Sequence, residues 1–257
     1  MKMVSASKMK GDLYRLEHGK DFGHQSVDMI FKCDTYMQRK APPESSEQQQ
    51  LIVPVTSDRG LCGGINSGII REMKTYITEQ GRENIELFVI GEKGTAGCMR
   101  PFPDLLKESA QGLSTPVNFA QTMALTQKII THSEKKDKVV IYYNEFKSAL
   151  VQYVRRIELM SKSRFLESMR FQKLYELKLP DGWTSNPAMY ELYVASNLFM
   201  ARLQNAASEQ SARMNAMENA SSNAGDIIDA LQLEYNKARQ ARITSELVEI
   251  ISGASAV

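Results

Sequence analysis

The sequence has few cysteines, few histidines and almost no net charge, and these shortages exclude several classes of protein. Its three cysteines, Cys33, Cys62 and Cys98, lie far apart and form no CxxC pair, which argues against a disulfide scaffold and indicates free thiols. Thirty-two basic residues nearly balance thirty acidic ones among 257, for a formal charge of +2. A near-neutral chain is not typical of nucleic-acid-binding proteins, so we expect no nucleic-acid partner.

Long apolar runs are missing as well. No segment approaches the roughly 20 apolar residues that cross a bilayer. The start of the chain also has no apolar core of a secretory signal. We therefore expect a protein that is soluble or peripheral to a membrane and does not span it.

The glycine-rich segment 57–66, SDRGLCGGIN, lacks the residues that a phosphate-binding loop needs. Such a loop has a Lys and a Ser or Thr directly after its last glycine, where this chain has Ile65 and Asn66. The spacing of the dinucleotide fingerprint is absent too. The glycines are better explained by a tight turn and close packing.

Recognisable catalytic and metal-binding patterns are also lacking. Cys62 is a candidate nucleophile, but no histidine lies near it in the sequence to act as its base. His18, His24 and His132 do not have the spacing of metal ligands. We expect no catalytic residue, no metal site and no bound cofactor.

The most informative segment is 188–257, which contains no proline and only two glycines. Its composition predicts one continuous helix of roughly 100 Å, too long to be buried by a domain of this size. Residues 1–40 form a second helical arm, which Pro42 and Pro43 end. Pairing of the arms as an antiparallel coiled coil would bury both apolar stripes; two independent surface helices are the alternative.

The segment between the arms, 51–185, predicts a small Rossmann-like α/β domain inserted between the two long helices. Pro54 argues against a central position for the first strand. Thr115 and Pro116 predict an N-cap and the first position of a helix that ends near His132. The predicted strands are 51–56, 85–90 and 138–143, followed by an antiparallel edge strand within 148–160.

Charge and hydrophobicity vary along the arms. The first arm begins with Lys2, Lys8, Lys10 and Arg15, and the second has Lys237, Arg239 and Arg242. In an antiparallel pair these groups could form one positive collar, although ordinary solvated side chains explain them equally well. Beyond Arg242 the chain becomes an apolar tip, which needs a surrounding partner. The tip contains Ile243, Leu247, Val248, Ile250, Ile251 and Val257.

Three segments carry a resemblance to a known family. They are MKMVSASKM at 1–9, TSDRGLCGGIN at 56–66, and the block from RMNAMENA at 213–220 through Gly253 and Ala254. Together they resemble the gamma subunit of F-type ATP synthases. The resemblance implies a non-catalytic central shaft that stands inside a ring of alpha and beta subunits, with its α/β domain as a foot on the membrane c-ring.

The resemblance also implies partners and contact residues. Arg239 and Gln240 match residues that hydrogen-bond a beta-subunit loop, and Met1, Lys2 and Lys8 match a region that faces acidic beta-subunit loops. The apolar tip matches the bearing. Delta- or epsilon-type stalk subunits complete the expected partners. The expected location is the matrix side of the mitochondrial inner membrane, with the cytoplasmic side of a bacterial plasma membrane as the alternative.

Two other functions remain open at this point. One is a coiled-coil scaffold that presents an α/β module to an unrelated partner, and the other is a small α/β enzyme that uses Cys62. The family usually has further residues before the motif at Met1, so we expect Met1 to be a retained residue and not the initiator.

Overall fold

The computed structural model describes residues 2–20, 22, 48–163, 165 and 185–255. Five strands and five helices lie along these residues, and they alternate except where β5 follows β4 directly. In chain order they are α1 (Lys2–Lys20), β1 (Gln50–Pro54), α2 (Ile65–Gln80), β2 (Ile85–Ile90), α3 (Glu92–Met99), β3 (Leu106–Ala110), α4 (Phe119–Ser133), β4 (Lys138–Phe146), β5 (Gln152–Met160) and α5 (Ser185–Ser255).

The strands form one sheet in the order β3-β2-β1-β4-β5, so β1 is central. The first four strands are parallel, and β5 runs antiparallel to β4 along one edge, as the sequence predicts. The expectation that Pro54 keeps β1 from the centre is wrong. Pairing between β1 and β2 ends at Ile52 and resumes only at Val55, so the missing N–H of Pro54 falls in this gap.

Both faces of the sheet are covered by helices, which makes a three-layer α/β domain. On one face, β1 and β4 pack against α4 and against the part of α5 from Tyr190 to Ala201. On the other face, the same strands and β2 pack against α2 and α3. Fully buried strands with apolar residues on both faces are typical of parallel sheets.

Three elements differ from the predicted ones. Helix α3 and edge strand β3 are additional elements between β2 and α4. Helix α4 begins at Phe119 and not at Pro116, because Asn118 is its N-cap and its side chain accepts a hydrogen bond from the backbone N–H of Ala120. Gly81 is the C-cap of α2, and its N–H donates to the carbonyl of Ile77.

Helix α1 packs antiparallel against α5. Leu16 lies in a buried cluster with Met200 and Leu203, while Lys2 at the other end of α1 forms an ion pair with Glu218. Gly19 allows the close approach, since a Cβ on it would lie 2.5 Å from Leu203 Cδ1. Of the predicted first arm, 1–40, the structure describes residues 2–20 and 22. The remainder of that arm lies outside the described residues, which resume at 48.

Helix α5 has 71 residues and two distinct halves. Residues 190–213 carry its buried side chains, whereas every residue from 218 to 255 is exposed. We call residues 218–255 the outer segment. Among the described residues, no helix is long and apolar enough to cross a membrane.

Candidate partner-binding surface

The outer segment extends beyond both the sheet and α1. At about 1.5 Å per residue it is roughly 55 Å long. The ion pair between Lys2 and Glu218 marks its start, and no described residue outside α5 covers it beyond that point. A helix that is exposed on all sides over this length has no tertiary packing to stabilise it, so it needs a partner.

Apolar side chains occur along the whole outer segment. In the predicted tip, the exposed fraction of these side chains ranges from 51% for Ile243 to 70% for Ile250. So many large apolar side chains exposed on one helix mark an interaction site in a stable protein. Val257 lies outside the described residues. The other large apolar side chains that are exposed on the outer segment are Ile227, Ile228, Leu231, Leu233, Tyr235, Leu247, Val248 and Ile251.

The predicted polar contact residues lie at separate places. Arg239 and Gln240 are exposed on the outer segment, whereas Lys2 pairs with Glu218 about 30 Å nearer the domain. Lys8 is exposed and lies still closer to the domain, and Met1 is outside the described residues. The two basic clusters therefore do not form the single collar that the sequence suggested.

Polar contacts fix the inner half of α5 to the end of the β4–β5 hairpin. Asn144 donates to the side chain of Asn205 at 2.9 Å, and the Ser208 hydroxyl donates to the Asn144 carbonyl at 3.1 Å. Ser211 and Asn215 both donate to the carbonyl of Ala149 at 2.6 Å. Hydrogen bonds at successive turns of a helix set its rotation about its own axis as well as its position.

Arg213 attaches the glycine-rich segment 57–66 to α5. Its guanidinium donates to the carbonyls of Arg59 and Gly60 and forms an ion pair with Glu209 at 2.6 Å. Burial raises the pKa of Glu209, and the Arg213 charge opposes that shift. The segment forms a tight turn, as expected, with positive φ at Leu61 and Gly63. Through Arg213 it also holds the end of β1 against the long helix. The sequence did not indicate this role of Arg213. The only sign of it is a charged residue among small ones.

Cys62 has the surroundings of a structural residue. It is buried, and its sulfur accepts a hydrogen bond from the Asn66 amide at 3.3 Å and lies 3.6 Å from the Ser57 hydroxyl. Neither polar neighbour is a base at neutral pH, so these contacts do not activate a nucleophile. Among the described residues, no cluster of His, Cys, Asp and Glu could hold a metal ion.

Known proteins with similar sequences include gamma chains of ATP synthases. The family model described as ATP synthase matches residues 1–257. The chain is 34% identical over 270 residues to an ATP synthase gamma chain of Pelagibacter ubique, covering 100% of this chain and 92% of that protein. It is also 34% identical over 260 residues to the mitochondrial F(1) complex subunit gamma of Dictyostelium discoideum, covering 99% and 84% respectively.

Solved structures with the same fold include chains of mitochondrial ATP synthases. A chain of the Tetrahymena thermophila mitochondrial central stalk and c-ring superposes with a TM-score of 0.74 at 39% identity, covering 86% of this chain and 97% of that one. A chain of the Euglena gracilis mitochondrial complex superposes with a TM-score of 0.71. Its identity is 20%, over 98% of this chain and 95% of that one, and supports the fold alone.

Proposed function

Because this chain belongs to the ATP synthase family, in which its relatives are gamma chains, we propose that it is the central rotary shaft of an ATP synthase. The observation that carries this proposal is the single helix α5, which is anchored in an α/β domain at one end and fully exposed at the other. The chain is a non-catalytic subunit of the complex. It couples rotation of the c-ring to conformational change at catalytic sites on the beta subunits.

The geometry explains how such a shaft transmits torque. The polar contacts and Arg213 prevent α5 from turning relative to the sheet, so a rotation of the domain becomes a rotation of the outer segment. An asymmetric helix that turns inside a ring presents a different surface to each site in sequence. Shaft angle and nucleotide affinity are then linked, and the coupling acts in both directions.

The partners are the alpha and beta subunits around the shaft, the c-ring below the domain and the stalk subunits. The chain is a peripheral subunit of the mitochondrial inner-membrane complex, and we place it on the matrix side. We further propose that the helical arms 1–40 and 188–257 pair as an antiparallel coiled coil up to about Glu218, where α1 begins, and that 51–185 is the foot. The antiparallel packing of α1 on α5 supports this arrangement.

Two sets of contact residues follow from this proposal. Arg239 and Gln240 would hydrogen-bond a beta-subunit loop, for which their exposure on the outer segment is suitable. Met1, Lys2 and Lys8 would face acidic beta-subunit loops nearer the domain. The apolar tip from Ile243 to Val257 would be the bearing.

Reconstitution with an alpha–beta ring tests the function. We expect the chain to join the ring and to stimulate multisite ATP hydrolysis. Because Arg239→Ala/Gln240→Ala removes charge-assisted hydrogen bonds, it should weaken this stimulation by about tenfold. A chain that neither joins the ring nor changes hydrolysis would contradict the shaft and favour a scaffold for another partner.

The matched control for this pair is Arg71→Ala/Gln80→Ala. Both of these residues are exposed on α2, so the same two side-chain types are lost from a surface of the foot. We expect this variant to stimulate hydrolysis like the unmodified chain. Equal loss in both variants would contradict a specific role for Arg239 and Gln240.

The bearing gives a second prediction. Ile250→Asn/Ile251→Asn should slow ATP hydrolysis by about 2- to 10-fold, because each new hydrogen bond to the surrounding sleeve adds about 0.5–1.5 kcal/mol to a fixed angle. Steady-state hydrolysis by the reconstituted ring measures this effect. Ile250→Val/Ile251→Val keeps the surface apolar and should turn over normally. Unchanged turnover of the Asn variant would contradict the idea that polar groups trap the shaft.

A further inference from the structure

A cavity of about 450 Å³ lies between α1, α5 and the loop that follows β1. Thr56 and Ser57 extend from the carboxyl end of β1, and Asp12 and Glu209 enter from the two helices. The neighbours of β1 are β2 on one side and β4 on the other, so the strand order reverses here. In open α/β sheets, ligands bind in the crevice at such a switch point.

The acidic side chains that line the cavity are already neutralised or hydrogen-bonded. Asp12 pairs with Arg15 at 2.8 Å, and Glu209 pairs with Arg213 at 2.6 Å. The Asp58 carboxylate accepts backbone N–H groups of Glu92 at 2.9 Å and of Leu113 at 3.0 Å. Burial raises the pKa of both Asp12 and Glu209, and the paired Arg15 and Arg213 oppose that shift.

Three basic side chains lining the same cavity have no acidic partner at ion-pairing distance among the described residues. Lys8 and Arg59 are exposed at its edge, while Arg202 is only 5% exposed. The Arg202 guanidinium donates to the neutral oxygens of Thr122, at 2.8 Å, and Gln121, at 3.4 Å. A guanidinium has five N–H donors, so this buried cation retains donors for another acceptor.

The charge of Arg202 persists under physiological conditions. Burial lowers its pKa to about 10, and the nearby Asp58 opposes that shift. The group is therefore protonated at neutral pH. A buried charge without a counter-ion at ion-pairing distance is costly, and an anion that enters the cavity would lower that cost.

We propose that this cavity binds a small oxyanion, namely phosphate or the phosphate groups of a nucleotide, with Arg202 inside and Lys8 and Arg59 at its opening. Planar guanidinium groups suit phosphate because they donate two parallel hydrogen bonds to it. The volume falls within the range of small-molecule sites and exceeds that of a single ion, so it leaves room for a phosphate that is part of a larger molecule. A bound anion would connect α1, the loop after β1 and α5.

The test is isothermal titration of the full chain with inorganic phosphate, ADP and ATP in separate arms at low ionic strength. We expect saturable binding of one equivalent, and the arm with the highest affinity identifies the source of the phosphate. Lys8→Gln/Arg59→Gln should weaken binding by about tenfold. Both residues are exposed, so this variant should fold, as circular dichroism can verify, whereas Arg202→Gln changes a buried site.

Lys10→Gln/Arg71→Gln is the matched control, because it removes the same charges from exposed positions that do not line the cavity. Its affinity should stay within about twofold of the unmodified chain. Equal weakening in both variants, or no saturable binding at about 10 mM ligand, would overturn the proposal. Tighter binding of an acidic peptide than of any phosphate compound would also overturn it and assign the surface to a protein partner. Lys8 is also one of the proposed beta-subunit contacts, whereas Arg59 is not. Arg59→Gln alone should therefore weaken anion binding without changing ring assembly, so that ring assembly tests the shaft function separately.

Discussion

Gly91→Ala is expected to destabilise the domain by about 3–5 kcal/mol. Gly91 follows β2 with φ of +104°, a conformation that residues with a side chain rarely adopt. A Cβ at this position would also lie 2.5 Å from both the carbonyl oxygen and the hydroxyl of Thr56. The carbonyl oxygen belongs to the backbone near the end of the central strand, and the hydroxyl is held by its hydrogen bonds. Neither atom can therefore move aside without a large cost in free energy.

The loss is large because Thr56 connects two strands and a helix. Its backbone N–H and its hydroxyl both donate to the carbonyl of Ile90, at 2.8 and 2.7 Å. The hydroxyl in turn accepts the N–H of Gly94 at 3.0 Å. Displacing Thr56 would therefore break buried hydrogen bonds on both sides of the turn.

Gly112→Ala is the matched control for this prediction. Gly112 also has positive φ, at +66°, but a Cβ there would meet no atom within 4 Å. We expect it to cost about 1 kcal/mol, which is the conformational term alone. Urea unfolding measures both variants. Equal costs would show that the contact with Thr56 contributes nothing.

The sequence predicts well those elements whose own residues show a clear pattern of secondary structure. Strands β1, β2 and β4 are short apolar, β-branched segments, and α2 has a helical period with a glycine after it. Strand β3 reads LKESA and is partly exposed, so it lacks an apolar pattern. It forms because it can pair with β2 at the edge of the sheet, and that pairing depends on tertiary structure.

The partner surface was predictable in part for a similar reason. The length of α5 and its exposed apolar tip follow from local composition. The separation of the basic clusters does not, because it depends on where α1 docks, and the close contact of Gly19 with Leu203 sets that position. Arg213 and the Arg59 carbonyl are 154 residues apart, and no local pattern indicates such a contact.

Gly225→Pro is expected to reduce ATP synthesis by the reconstituted complex by about tenfold or more, which corresponds to a loss of about 1.4 kcal/mol or more of coupling. Gly225 lies in the outer segment, and a Cβ there would contact nothing within 4 Å. Proline removes the hydrogen bond to the carbonyl one turn earlier, and its ring clashes with that carbonyl. Because no other described residue supports the helix at this level, its own hydrogen bonds provide its stiffness.

The control is Gly225→Ala, which changes the same position without breaking the helix. It should stiffen the outer segment, since alanine favours the helix by about 1 kcal/mol over glycine. We expect normal ATP synthesis from this variant and a kinked, weakly coupled shaft from the proline variant. If both complexes assemble and synthesise ATP equally, torque does not pass through residue 225. The apolar tip would then serve only as a fixed pivot, and coupling would depend on the contacts of the shaft nearer the domain.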